Sequence, residues 1–274
     1  NTLCVNKNLF IDLTFQQDHK NLTNKHKVPI TGGILIILSL IFLFLEINYI
    51  NKFLFTLIFL LGLLSDTNKL SSPKVRFYIQ ILIVIIYLIL NETYINEIKI
   101  YYVDNHILKF FLFKIIFTLF CLLVLINGSN FIDGVNTLNS GYYFIVFLNI
   151  LFISQNDFIF LETYNLKILL IVLSVFLLSN IFSKSFLGDS GSYILSFYAG
   201  VFLIDLFNQN SYISPYYIVI LLWYPAFENL FTLTRRLIFE KNKIKVADNL
   251  HLHHLLFKYL NKKFNNNMVN TYSG

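Results

Sequence analysis

Five acidic or histidine-bearing patches lie in short polar gaps or at the ends of long apolar segments. They are Ser65-Asp66-Thr67, Asn127 to Gly134, Phe186 to Gly191, Glu228 to Arg236, and His251-Leu252-His253-His254. Carboxylates are hard oxygen donors that suit Mg²⁺. Imidazoles donate hydrogen bonds and protonate near neutral pH. Together they suit a phosphate-bearing ligand brought in with a divalent cation. Ionisable groups are costly beside lipid unless they meet a partner, so their recurrence beside apolar segments points to a site.

Each patch has its own logic. Asn127 to Asn136 reads NGSNFIDGVN, with Asn127, Asn130, Asp133 and Asn136 as its polar side chains. The expectation is a tight polar loop able to approach phosphate or metal closely; an Asx or glycine turn is the structural alternative. Asp189 lies in FLGDSGS, residues 186–192, where Asp and Ser before an apolar run serve as a helix N-cap. The same helix start would offer a carboxylate for Mg²⁺ and N–H donors for phosphate. Asp66 is a lone acid ahead of Lys69, Lys74 and Arg76. Lys74 and Arg76 follow Pro73 at a helix start and serve either as membrane anchors or as phosphate neutralisers. His251, His253 and His254 could bind zinc, but no further cysteine or histidine stands nearby, and contact with a diphosphate is preferred. Glu228 sits in an apolar segment beside Pro225, which should interrupt the helix. Arg235, seven residues on, falls on the same helical face, so a pair of Glu228 with Arg235 or Arg236 is expected.

Eight apolar segments must position these groups: Gly33–Tyr49, Phe53–Leu64, Val75–Leu90, Ile107–Ile126, Gly141–Ile153, Leu166–Phe182, Tyr193–Phe207 and Ile213–Phe231. The chain of 274 residues is 56% hydrophobic and 13% charged. Soluble domains carry about 25% charged residues, so this surface faces lipid. A bilayer-embedded backbone must satisfy itself, which makes the segments helices. The expected class is therefore all-α: a polytopic integral membrane bundle with about eight transmembrane helices.

Alternate segment ends put every patch on one side. That side holds 16 of the 21 Lys and Arg residues. Basic loops stay in the cytoplasm, so the motif face is expected to be cytoplasmic. Cys4 and Cys121 show no metal or disulfide spacing. No internal repeat or linker divides the chain, so residues 1–274 are read as one membrane domain. Both ends are expected to be cut, since the sequence starts at Asn1 in a polar stretch.

With KVPITGG at 27–33, GLLSD at 62–66, NFIDG at 130–134, FLGDSGS at 186–192 and HLHH at 251–254, the chain resembles the polyprenyl-phosphate N-acetylhexosamine-1-phosphate transferases. The likeness runs from about Asp12 to Lys263. Members of that family have about ten or eleven helices. The HLHH form resembles the branch that uses UDP-N-acetylglucosamine rather than the muramyl-pentapeptide nucleotide.

The resemblance implies transfer of an N-acetylhexosamine-1-phosphate from a UDP-sugar to undecaprenyl phosphate in a bacterial plasma membrane. UMP is released, and an O-antigen or similar cell-envelope polysaccharide is begun. It implies Mg²⁺, with Mn²⁺ as substitute, on Asp189 and Asp133. Asp66, Asp133 and Asp189 would be catalytic. Asn127, Asn130, Asn136, Lys74, Arg76, His251, His253 and His254 would bind substrate. The partners would be the UDP-sugar, the lipid phosphate and the bilayer, with a homodimer compatible and no nucleic acid. The chain departs from the family at Ser65, where members often carry an acid, and at Asn136, where many carry Asp. Two other classes stand beside this one: a catalytically inactive scaffold, suggested by Ser65, and an ion-coupled transporter, which would place acids near helix centres in paired halves.

Overall fold

The computed structural model describes residues 28–44, 47–153, 160–210, 213–238, 251–264 and 269–274. The polar stretch before Val28, with His19 and His26, lies outside the described residues, as does 239–250.

Among the described residues the chain is all-helical. The helices are α1 (Gly32–Phe42), α2 (Tyr49–Asp66), α3 (Pro73–Asn91), α4 (Tyr101–His106), α5 (Phe111–Ile132), α6 (Leu138–Ile153), α7 (Phe160–Ile181), α8 (Gly188–Gln209), α9 (Pro215–Leu221), α10 (Trp223–Ile238), α11 (Leu252–Phe264) and α12 (Val269–Tyr272). One isolated parallel bridge, Ile30 to Phe186, pins the lead-in of α1 to the lead-in of α8.

Each of the eight expected apolar segments carries helix among the described residues, although the first is helical only to Phe42 before the next helix starts at Tyr49. Five of them, α2, α3, α5, α7 and α8, are long and apolar enough to cross a membrane. A sixth span would be α9 with α10, which bend by 71° at Leu222. The other two fall short. α1 has 11 residues and α6 has 16, so α1 rises only about 16 Å against a hydrocarbon core of about 30 Å.

The break between α9 and α10 has a local cause. Pro225 has no N–H, so the carbonyl of Leu221 loses its helical partner. The Tyr142 hydroxyl from α6 donates to that carbonyl instead. The break therefore costs no buried acceptor.

α8 is the axis of the bundle, with 89% of its apolar window buried. Small residues let its neighbours in. A Cβ on Gly33 would lie 2.7 Å from the Gly191 nitrogen, and one on Gly62 would lie 2.4 Å from Ser190 Cα. Lipid tails are as apolar as leucine, so close backbone approach and van der Waals packing hold such helices together. Below these contacts Phe55, Tyr87, Phe197 and Tyr198 pack edge to face or tilted, with centroids 5.2–5.8 Å apart. The packed glycines and rings fix α1, α2 and α8 at the end where the motifs emerge.

Candidate active site

The C-terminus of α2 meets the N-terminus of α8. Asp66 is the last residue of α2 and is 1% exposed. Its Oδ1 accepts the Asp189 N–H at 2.8 Å, and its Oδ2 accepts the Ser190 N–H at 3.0 Å. The residue at the N-cap position itself, Leu187, supplies no side-chain bond. The cap expected from Asp189 thus comes from another helix, and these two N–H groups are occupied rather than open to phosphate. The carboxylate also meets the positive end of the α8 dipole. Gly188 makes the approach possible: its φ is +75°, and a Cβ there would lie 2.8 Å from Asp66 Oδ2.

Asp66 thereby aims Asp189. Arg76, in the first turn of α3, holds Asp189 Oδ2 at 2.8 Å, and the two side chains are 19% and 16% exposed. The Ser65 hydroxyl donates to the same Oδ2 and accepts from Arg76. Ser65 fills the acid-to-serine position as a neutral bridge between a cation and an anion. Asp189 Oδ1 accepts no hydrogen bond among the described residues. Lys74 stands exposed in the first turn of α3, outside this junction.

The NGSNFIDGVN stretch is mostly helix, not loop. α5 continues to Ile132, and Asp133 is its half-buried C-cap. Gly128 explains the continuation. α10 passes so close that a Cβ on Gly128 would lie 2.0 Å from the Pro225 carbonyl oxygen. The glycine serves helix contact there, not a turn. Asn127 donates to Gln80 Oε1 at 3.1 Å and ties α5 to α3 one turn beyond Arg76. Asn130 is half-buried in the last turn of α5. Asn136 is buried: its Nδ2 donates to Ser183 Oγ at 2.6 Å, and its N–H donates to Asn270 Oδ1 at 3.2 Å. It joins the loop after Asp133 to the end of α7 and to α12.

The imidazoles close over this loop. His251, His253 and His254 are 6%, 2% and 5% exposed. A Cβ on Gly134 would lie 2.6 Å from His253 Nε2 and 2.7 Å from His254 Cε1. The His253 and His254 rings lie 4.3 Å apart, and His251 stacks on Phe131 at 5.3 Å. The expected pairing of Glu228 with Arg235 or Arg236 gives way to a different one. Glu228 Oε2 meets His251 Nδ1 at 2.9 Å, and its Oε1 accepts the Leu252 N–H at 3.2 Å.

Both ring nitrogens of His253 are buried, with no hydrogen-bond partner among the described residues. Burial, with His254 and His251 beside it, pushes its pKa down to about 2. A neutral imidazole with unmet donor and acceptor capacity costs free energy that a ligand oxygen could offset.

The structure thus brings Asp66, Asp189 and Arg76 together, and separately brings the three imidazoles onto the Asp133–Gly134 turn. Asn139 links the two groups: its Nδ2 donates to Ser192 Oγ at 2.9 Å, one turn after Asp189, and to the Ser129 carbonyl at 3.0 Å, one turn before Asp133. Among the described residues no three His, Cys, Asp or Glu side chains surround a metal-sized site. Ser65, Gln80 and Asn139 were not singled out as site residues from the sequence, although Ser65 stood out as a departure from the family. Gly62, three residues before Ser65 at helical spacing, was the available signal that this helix end touches another backbone.

Comparison with known proteins agrees with this geometry. A sequence profile of glycosyl transferase family 4 matches residues 51–207, which carry Asp66, Arg76, Asp133 and Asp189. An undecaprenyl-phosphate alpha-N-acetylglucosaminyl 1-phosphate transferase from Thermotoga maritima is 27% identical over 237 residues, covering 86% of this chain and 70% of that protein. The chain is a multi-pass membrane protein and belongs to glycosyl transferase family 4.

Proposed function

We propose that the chain moves N-acetylglucosamine-1-phosphate, or that of a close N-acetylhexosamine, from its UDP-sugar to undecaprenyl phosphate at the cytoplasmic face of a bacterial plasma membrane. The lipid diphosphate sugar would begin a cell-envelope polysaccharide such as O-antigen. The carrying observation is the helix junction at which Asp66 caps α8 and sets Asp189 against Arg76. Support for the sugar comes from the name of the Thermotoga relative.

The reaction joins two anions. An oxygen of the lipid phosphate attacks the phosphorus that carries the sugar. The bond from that phosphorus to the bridging oxygen breaks, and UMP leaves with the electron pair. A phosphate monoester has a second pKa of about 6, so it is largely a dianion at pH 7 and needs no base. The serine at position 65 is compatible with this account. What the site must supply is charge neutralisation and alignment. Arg76 offers a fork of donors suited to phosphate. His253 offers two ring nitrogens that are unmet among the described residues, and His251 and His254 lie beside it. Asn130 and Asp133, at the C-terminal end of α5, are assigned to the nucleotide side, with Lys74 and Asn127 assigned to the lipid phosphate.

Mg²⁺ usually takes one or two carboxylates and completes its shell with substrate phosphates and water. The open Oδ1 of Asp189 fits that donor set, with Asp133 as the second candidate. Asp66, with both oxygens on backbone N–H groups, fits a positioning task. When bound, the ion would neutralise diphosphate charge and stabilise departing UMP.

The test is release of labelled UMP from a panel of UDP-N-acetylhexosamines by membranes from cells expressing the protein, with added undecaprenyl phosphate and Mg²⁺. The expected result is turnover with UDP-N-acetylglucosamine that excess EDTA stops. Lipid-independent release, or none with any sugar, would remove the proposal.

A further inference from the structure

We propose that Glu228 is a positioning residue that acts through His251, holding that imidazole so that its Nε2 is presented to the diphosphate of the nucleotide sugar. The inference rests on the transferase reading and assigns a role to a residue outside its five motifs.

Glu228 is 2% exposed and lies on α10, one turn after Pro225. A buried carboxylate costs several kcal/mol of desolvation unless it is paired and its lone pairs are met. This one is met twice. Oε2 meets His251 Nδ1 at 2.9 Å, and Oε1 accepts the N–H of Leu252 at 3.2 Å. The acceptor side of the pair fixes the ring. A carboxylate only accepts, so Nδ1 carries the proton and donates. The other ring nitrogen, Nε2, has no hydrogen bond among the described residues. The second carboxylate oxygen caps the start of α11, so the same side chain orients the ring and anchors the helix that carries His253 and His254.

Two further contacts hold the arrangement. Phe131, two residues before Asp133, stacks on the His251 face at 5.3 Å with the planes 29° apart. Asn229, adjacent to Glu228, donates to the Val124 carbonyl of α5 at 2.9 Å and fixes the rotation of α10. The geometry parallels carboxylate–imidazole pairs at metal sites, where loss of the carboxylate costs about 10–100-fold in function.

The experiment compares Glu228→Gln, Glu228→Asp, His251→Ala and the double variant Glu228→Gln/His251→Ala in purified full-length protein, with UDP-N-acetylglucosamine as donor. Glutamine keeps the volume and an acceptor for the Leu252 N–H but loses the charge that fixes Nδ1–H. The expected result is a rise in KM for the nucleotide sugar of at least about tenfold, with KM for undecaprenyl phosphate and the unfolding temperature close to wild type. Glu228→Asp should recover part of the loss, and the double variant should match His251→Ala alone. A wild-type donor KM in Glu228→Gln, or losses that multiply in the double variant, overturns the inference while leaving the transferase reading intact. A wild-type protein inert toward every UDP-sugar overturns that reading first.

Discussion

The carboxylate of Asp66 accepts the backbone N–H of Asp189 at 2.8 Å, across 123 residues of sequence. One acid therefore places the other. Asp66 ends α2, Asp189 opens α8, and Ser65 and Arg76 complete the contact from either side. The site is a joint between helix ends, and its precision depends on how closely those helices pack.

Substituting the cap tests that dependence. Hydrogen bonds to a charged group contribute about 1.5–3 kcal/mol each, so Asp66→Ala should lower stability by a few kcal/mol, read as a loss of unfolding temperature in detergent. Asp66→Asn, which keeps one acceptor, should lose less stability but still lose most transfer activity, because the Asp189 backbone shifts. Full activity in Asp66→Ala would break the link between cap and site.

Asp189 is expected to behave differently. Its side chain is partly exposed and makes only the Ser65 and Arg76 contacts among the described residues. Asp189→Asn should keep the protein folded and in the membrane while abolishing transfer. It should also remove any Mg²⁺-dependent rise in the unfolding temperature that wild type shows with UDP-N-acetylglucosamine. Retained Mg²⁺ protection in the variant would move the ion elsewhere.

The glycines offer a graded series. A Cβ on Gly62 would meet backbone of α8 at 2.4 Å, and one on Gly128 would meet the Pro225 carbonyl at 2.0 Å. Backbone cannot step aside, so Gly62→Ala and Gly128→Ala should each cost about 1–3 kcal/mol or more and reduce activity. At Gly200 the nearest atom is Leu122 Cδ2 at 2.5 Å. That is the end of a flexible side chain, so Gly200→Ala should be milder on both readouts.

Part of this was legible in the sequence. The eight apolar runs, the helix start at FLGDSGS and the interruption near Pro225 all follow from local pattern, because each depends on neighbours within a turn or two. The cap by Asp66 and the pairing of Glu228 with His251 are not local. Nothing near Asp66 in the chain shows that its partner is a helix start 123 residues on, and Arg235 at helical spacing was the nearer partner for Glu228. The NGSN stretch misled for a related reason. Asn and Gly read as a turn, yet Gly128 is glycine because Pro225 of another helix leaves no room for a side chain.

The buried imidazole sets a pH response. His253 has a folded pKa near 2, below its ordinary value of 6.5. The unfolded chain then takes up a proton before the folded one. Above pH 6.5 neither state is protonated and the residue has no effect. As pH falls through 6.5 stability declines, at up to about 1.4 kcal/mol per pH unit. Unfolding temperatures between pH 8 and 5.5 should therefore fall more steeply for wild type than for His253→Gln. Equal slopes would place a protonated or solvated ring at this position.

The central claim is that a sugar phosphate, not a bare sugar, crosses to the lipid. UDP-N-acetylglucosamine labelled with ³²P on the phosphorus next to the sugar tests it directly, with the protein, Mg²⁺ and undecaprenyl phosphate. The label is expected in the organic-extractable lipid, dependent on undecaprenyl phosphate, with unlabelled UMP in the aqueous phase. Label that stays aqueous as UDP while sugar enters the lipid would contradict it.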